Sequence, residues 1–338
     1  MFSDILKKLV AGENLYEDTM ADVMEEILEG RATDAQIGAL MAGLAAKGET
    51  FEELAGAARS MRKSATRIHT NGACFDTCGT GGDGLSTFNI STVTAFVVAA
   101  GGVTVAKHGN RSVSSTCGSA DVLEALGVKL DISPYVVEEA ISEVGIGFLF
   151  APKFHSAMRH AAAARKETGI RSIFNMVGPL TNPAGASRQL LGVYAPQLTE
   201  MFAEALRLLG TERALVVHGH DGLDEISVCA PTRVTELKNE LIRTTDIDPT
   251  DYFGELASPD ALAGGGPEEN ARIARNILSG EERGPKRNVI LINAGAALMA
   301  ADKAETLREG IVLAEEAIDS GNAMTKLDGL VRYTTENA

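Results

Sequence analysis

Uncovered glycines, clustered cations and adjacent carboxylates occur at separate places in this 338-residue chain, and each grouping suits a definite chemistry. In Gly79-Thr80-Gly81-Gly82-Asp83-Gly84 the lack of side chains lets a phosphate oxygen come close to backbone N–H groups. Downstream, Asn89, Ser91 and Thr92 are residue types that open helices, and a helix N-terminus favours an anion. The segment therefore reads as an anion cradle. It also fits G-x-G-x-x-G, but the dinucleotide fingerprint needs its helix to open at the glycines and an acid ~20 residues later. Here the helix is expected near Ser91, and the first acid after Asp83 is Asp121. A Walker A loop fails as well, because no Gly-Lys-Ser/Thr follows.

The second grouping, Lys107-His108-Gly109-Asn110-Arg111-Ser112-Val113-Ser114-Ser115, holds two fixed cations, a histidine of open charge and three hydroxyls. Those groups suit phosphate oxygens and ribose hydroxyls; a plain polar surface loop is the alternative. Gly118-Ser119-Ala120-Asp121 then opens another helix, a second N-terminus suited to an anion. The third grouping is Asp224-Glu225, after a buried strand. Magnesium takes one or two carboxylates plus substrate phosphates, although alone such a pair is most often just solvated. His218 and His220 lack an evident third partner for zinc. In the fourth, Pro152–Arg171, an arginine suits a substrate carboxylate, but spacing alone does not single out Arg165. Asn175–Pro183 is a turn-rich connection that structure alone explains.

Charge supports an anionic ligand. The net charge is −15, which opposes a general nucleic-acid surface. Yet Gly84–Ala120 contains no Asp or Glu, where composition would place about five. Val144–Thr199 has only Glu167 among Lys153, Arg159, Arg165, Lys166, Arg171 and Arg188. Burial accounts for the apolar parts of these stretches but not for their basic and hydroxyl-rich loops. The four cysteines form no C-x-x-C pair and read as reduced thiols of a cytoplasmic protein. The first residues lack the plan of a signal peptide, and the apolar runs Thr92–Ala106 and Val289–Ala301 fall short of the ~20 residues that span a bilayer. No membrane role is expected.

The elements that must position these loops divide in two. Residues 1–70 read as short helices, with starts at Thr33 and at Thr50-Phe51-Glu52-Glu53. Residues 71–338 alternate buried strands (Val103–Ala106, Ile146–Phe150, Leu191–Tyr194, Ala214–Val217) with helices (Val122–Leu126, Tyr135–Val144, Met201–Leu209). The expected fold is α/β: a small all-helical N-terminal domain joined to a larger domain with a mostly parallel central sheet flanked by helices, where ligands bind at the carboxyl ends of strands. Thr245–Pro267 reads as a solvent-exposed excursion, followed by amphipathic helices.

In order along the chain, GTGGD, NIST, KHGNRSVSS, GSAD, NMVGPLTNP and DGLDEIS resemble the anthranilate phosphoribosyltransferase family of tryptophan biosynthesis, over nearly the whole length. The resemblance implies phosphoribosyl pyrophosphate and anthranilate as substrates, magnesium as two ions to a site, and a homodimer formed through the helical domain, which helices near 165–190 complete. It implies that Gly79, Gly82, Asp83, Thr87, Asn89, Ile90, Ser91, Thr92, Lys107, His108, Gly109, Asn110, Arg111, Ser112, Val113, Ser114, Ser115 and Ser119 surround the donor. Ser91, Asp224 and Glu225 would hold the metal. Gly79, Asn110 and Arg165 would face anthranilate, with Pro152, His155 and Gly178 along its approach, and Lys107, Asn110 and Arg165 would be catalytic. Ser156 stands where the family often has proline, and Ala163-Ala164 where bulkier residues are common. A pyrimidine-nucleoside phosphorylase of similar architecture would be longer and differ at Lys107–Ser115. A nucleic-acid-binding relative would need a basic surface.

Overall fold

The computed structural model describes residues 2–112 and 116–338. Helices α1 (Phe2–Val10), α2 (Glu17–Leu28), α3 (Asp34–Lys47) and α4 (Phe51–Ser64) come first. Thr33 and Thr50 each close a full capping box, with Gln36 and Glu53 reaching back to the cap, as the sequence predicts. Helices α2 and α4 approach closely because Gly56 has no side chain: a Cβ there would overlap the Glu17 carbonyl.

The chain then winds a sheet: β1 (Phe75–Gly79), α5 (Ile90–Ala100), β2 (Val105–Gly109), α6 (Ser119–Ala125), α7 (Pro134–Val144) and β3 (Ile146–Phe150). Short helices α8 (Ala151–Phe154), α9 (Ala162–Thr168) and α10 (Ile173–Met176) lead to β4 (Arg188–Gly192), α11 (Leu198–Leu208) and β5 (Arg213–Gly219). Strands β6 (Thr232–Lys238) and β7 (Leu241–Ile247) follow, then α12 (Thr250–Phe253), α13 (Pro267–Leu278), α14 (Pro285–Ala300), α15 (Leu307–Asp319) and α16 (Asn322–Glu336). The sheet order is β3-β2-β1-β4-β5-β6-β7. The first five strands in this order run parallel, and β6 and β7 run antiparallel. From β1 the chain moves outward to β2 and β3, then returns to β4 on the other side, so β1 and β4 flank the switch point where such sheets hold ligands.

Alternate side chains along the strands feed two cores. Phe75, Leu190, Leu215 and Val217 face α5, α14 and α16, whereas Leu191, Val193, Val216 and Leu237 join the cluster that contains α1–α4 and α9–α11. The half-buried Arg62 of α4 donates to the carbonyls of Leu180 (2.6 Å) and Leu209 (3.3 Å), tying the N-terminal helices to segments far along the chain.

The expected helical start, flanked mostly parallel sheet and buried strands are present, with strand limits shifted: β2 begins at Val105 rather than Val103, and β4 spans Arg188–Gly192. One reading is refined and one corrected. Thr245–Pro267 is largely exposed, as expected, but it is anchored where Leu262 is buried, Thr87 bridges Ala263, and Gly264 packs against the Phe88 backbone beside the glycine loop. Helix α14 is buried on nearly all sides and is not amphipathic. Among the described residues no helix is long and apolar enough to cross a membrane.

Candidate active site

Gly79 and Gly192, paired across β1 and β4, form a floor without side chains at the switch point. A Cβ on Gly192 would overlap the Asp224 carbonyl, and one on Gly79 would lie 2.8 Å from Asp224 Oδ2. The loop after β5 can therefore fold back over the strand ends and present its two acids there. Asp224 Oδ2 accepts from the Gly81 N–H at 3.0 Å. Gly81 and Gly82 have φ of 64° and 77°, a left-handed conformation that favours glycine. Asp83 accepts the Leu85 N–H at 3.1 Å. Glu225 Oε1 accepts from the Ser91 N–H (3.1 Å) in the first turn of α5, occupying one of the free donors of that helix end.

Lys107, buried in β2, donates its ammonium to the Thr77 carbonyl and lies 3.5 Å from Ser91 Oγ. Burial lowers its pKa, while the charges of Asp76 and Glu225 oppose that shift. The carboxylates move the other way. Burial, then the Asp83 charge, raises Asp224 to about 7. Glu225 is pushed well above its ordinary value by burial and by Asp224, and Asp83 is raised by burial. Three carboxyl groups thus crowd a site in which Lys107 is the cation acting on Glu225. Among the described residues no group of three or more His, Cys, Asp or Glu is placed to hold an ion unaided. A hard cation that completes its shell with substrate phosphates fits this donor set. His218 is engaged with the Val193 carbonyl (2.7 Å) and His220 lies 3.7 Å from Asp246, so neither joins the carboxylates.

Asn89 bridges two loops: its amide donates to the Cys117 carbonyl and accepts from Asn270, each at 3.0 Å. Ile90 and Thr92 are buried at the start of α5, and Thr87 is half-buried beneath Ala263. In the second loop the Asn110 N–H lies 3.2 Å from Ser119 Oγ, its carbonyl accepts from Ala120, and Gly109 packs against Ser119 and Phe148. Arg111 turns away from the cradle to Asp121 and Glu124 of α6, both at 2.9 Å, and the Ser112 N–H also donates to Asp121. Val113, Ser114 and Ser115 lie outside the described residues.

On the side expected to take the acceptor, the His108 and His155 rings meet edge to face with centroids 5.1 Å apart. Burial holds them at about 3 and about 4, so both are neutral at pH 7. Pro152 is exposed in α8, three residues before His155, and Gly178 is open, with nothing within 4 Å of where a Cβ would stand. Arg165, half-buried on α9, lies 5.6 Å over the Phe174 ring and makes no ion pair among the described residues. Sequence reasoning assigned no part to Asp76, which is fully buried, accepts the His108 N–H (3.1 Å) and the Asn182 amide (2.8 Å), and so braces the root of the second loop. Nor did it separate Arg171 from its basic neighbours, although that side chain donates to the Gly82 carbonyl of the glycine loop at 2.9 Å. A hollow lined by Arg213, Lys238 and Asp302 lies at the opposite strand ends, with Arg213 already paired to Glu236 and Asp302.

A glycine loop over buried carboxylates, at the switch point of a sheet beside a helical bundle, is an arrangement suited to a transferase acting on a phosphorylated substrate. Family models described as the helical bundle domain and the a/b domain of the glycosyl transferase family match residues 3–65 and 71–324. Curated proteins named anthranilate phosphoribosyltransferase from Desulfosudis oleivorans and Syntrophobacter fumaroxidans are 63% and 65% identical over 338 residues, covering all of each chain. The solved anthranilate phosphoribosyltransferase of Thermus thermophilus superposes with a TM-score of 0.93 at 45% identity, covering 98% of this chain and 99% of that one. The enzyme from Saccharomyces cerevisiae, in complex with PRPP and Mg, gives 0.90 at 29% identity, covering 99% and 98%. The chain belongs to the glycosyl transferase family and, within it, to the anthranilate phosphoribosyltransferases.

Proposed function

We propose that the chain transfers the phosphoribosyl group of 5-phosphoribosyl 1-pyrophosphate to the amine of anthranilate, giving N-(5-phosphoribosyl)anthranilate and pyrophosphate in tryptophan biosynthesis. The observation that carries this reading is the buried Lys107 beside Ser91 at the start of α5, with Asp224 and Glu225 held at the same place. As the anomeric carbon leaves pyrophosphate, negative charge grows on the leaving group. A buried ammonium and the positive end of the α5 dipole stabilise it without reorganising. Asp224, Glu225 and Ser91 are the residues that would hold magnesium, two ions to a site, and the metal would supply further neutralisation of pyrophosphate.

Anthranilate brings a neutral aromatic amine with a lone pair, so no strong base is required. The site agrees, because its two buried histidines are neutral and have low proton affinity. Arg165, free of any ion pair among the described residues, is suited to the acceptor carboxylate, and holding both substrates in line supplies much of the rate. The Gly79–Thr92 and Lys107–Ser115 segments, with Ser119, receive the donor, except that Arg111 must leave Asp121 and Glu124 to take part.

The same proposal divides the chain into a helical domain, residues 1–70 completed by helices near 165–190, and an α/β domain, residues 71–338. It includes a cytoplasmic homodimer formed through the helical domain, which sedimentation would test. Anthranilate fluorescence is followed with and without donor and Mg2+. Decay only when both are present supports the reading. No decay from a folded, donor-binding protein would move the acceptor to another molecule.

A further inference from the structure

Arg171 stands on the connection between α9 and α10, six residues beyond Arg165. Its guanidinium lies 3.9 Å from the centre of the Tyr194 ring, and Nη2 donates to the Gly82 carbonyl at 2.9 Å. A Cβ at Gly82 would overlap Nη2, so a glycine there admits this group to the middle of the loop. Tyr194 is tied to the same loop, donating its backbone N–H to Thr80 Oγ1 at 3.2 Å. The loop is therefore gripped by Tyr194 at Thr80, by Asp224 at Gly81 and by Arg171 at Gly82.

Arg171 makes no ion pair among the described residues; an aromatic face and a carbonyl hold it instead. Both contacts leave its positive charge uncancelled beside a loop whose proposed ligand is a polyphosphate. The same short segment carries Arg165, and Phe174, two residues past the end of the connection, lies beneath that side chain. We propose that Arg171 is a positioning residue that holds the Gly79–Gly84 loop in its donor-receiving shape. The proposal rests on the phosphoribosyl-transfer reading.

The test compares Arg171→Ala and Arg171→Lys with the wild-type enzyme, by donor and acceptor KM and by calorimetric titration with phosphoribosyl pyrophosphate and Mg2+. For Arg171→Ala the donor KM and Kd should rise about tenfold, the scale of one charged hydrogen bond, while the acceptor KM stays within about twofold. Methylguanidinium at millimolar concentration should restore part of the lost donor affinity, and the donor-selective rise is the sign that a general loss of structure would not give. A donor KM and Kd equal to wild type overturn the proposal. So do equal rises in both KM values with no response to methylguanidinium. Should Arg171→Ala fail to fold, Arg171→Lys decides: unchanged donor affinity refutes the positioning role, and weakened affinity with normal acceptor KM upholds it. Wild-type anthranilate turnover tests the underlying reaction separately, and the calorimetric readout needs no acceptor.

Discussion

Replacing Asp224 by asparagine separates what this carboxylate costs the fold from what it does for the reaction. Asparagine keeps an oxygen for the Gly81 N–H and can donate to Asp83, so the loop should hold its shape. In the wild-type protein burial and Asp83 raise the carboxyl from 3.8 to about 7. The folded state therefore binds more protons than the unfolded one between those values, and the metal-free protein gains stability as pH falls through that window. Above it the full penalty applies, with a ceiling of about 4 kcal/mol at 1.36 kcal/mol per pKa unit. Metal-free Asp224→Asn should accordingly melt about 3–5 °C above metal-free wild type at pH 8, given the usual unfolding entropy per residue. By pH 5 the advantage should fall to less than half. Added Mg2+ with donor should raise the melting temperature of wild type more than that of the variant. Turnover, read by anthranilate fluorescence, should drop at least about 100-fold. Equal metal-free stability at pH 8 would refute the electrostatic argument, and full Mg2+-dependent turnover would refute the metal assignment.

Lys107→Met removes the buried ammonium while keeping its bulk; kcat should fall about 100-fold or more with the protein still folded by circular dichroism, and activity within threefold of wild type would contradict the leaving-group role. Arg165→Ala should raise the anthranilate KM about tenfold and leave the donor KM within about threefold; an unchanged acceptor constant would count against the carboxylate contact. Gly192→Ala puts a methyl group into the Asp224 carbonyl and should cost about 3 kcal/mol or more, seen as a lowered denaturation midpoint, whereas a neutral effect would mean that the loop can lift off the strand.

Legibility from sequence followed how demanding each local chemistry is. The caps at Thr33 and Thr50 were readable because a capping box needs particular residues three apart. The glycine loop stands out because few local structures need so many glycines, whereas Asp224-Glu225 stands out only in company with the phosphate-suited loops. Strands β6 and β7 escaped: β7 is an edge strand with much of its length exposed, so it lacks a buried strand's apolar run. The 245–267 segment reads as solvent-exposed and most of it is; its anchor at Leu262 could not be read, because that residue stands alone among acids and glycines. Arg111 could not be resolved, since a loop arginine looks the same whether it meets a phosphate or, as here, Asp121 and Glu124. Asp76 was silent for a different reason: a strand interior shows its polar partners only when distant segments such as Asn182 arrive.

The bare floor of Gly79 and Gly192 also bears on how the protein folds. The acidic loop is seated by contact with the backbone of two strands whose pairing spans residues 75–79 and 188–192. A one-residue slip would put Leu191 or Val193 under Asp224 and lift the carboxylates from their place. Metal-dependent donor binding should thus emerge late in refolding, after the pairing of β1, β4 and β5 is complete, and can serve as a clock for the finished sheet.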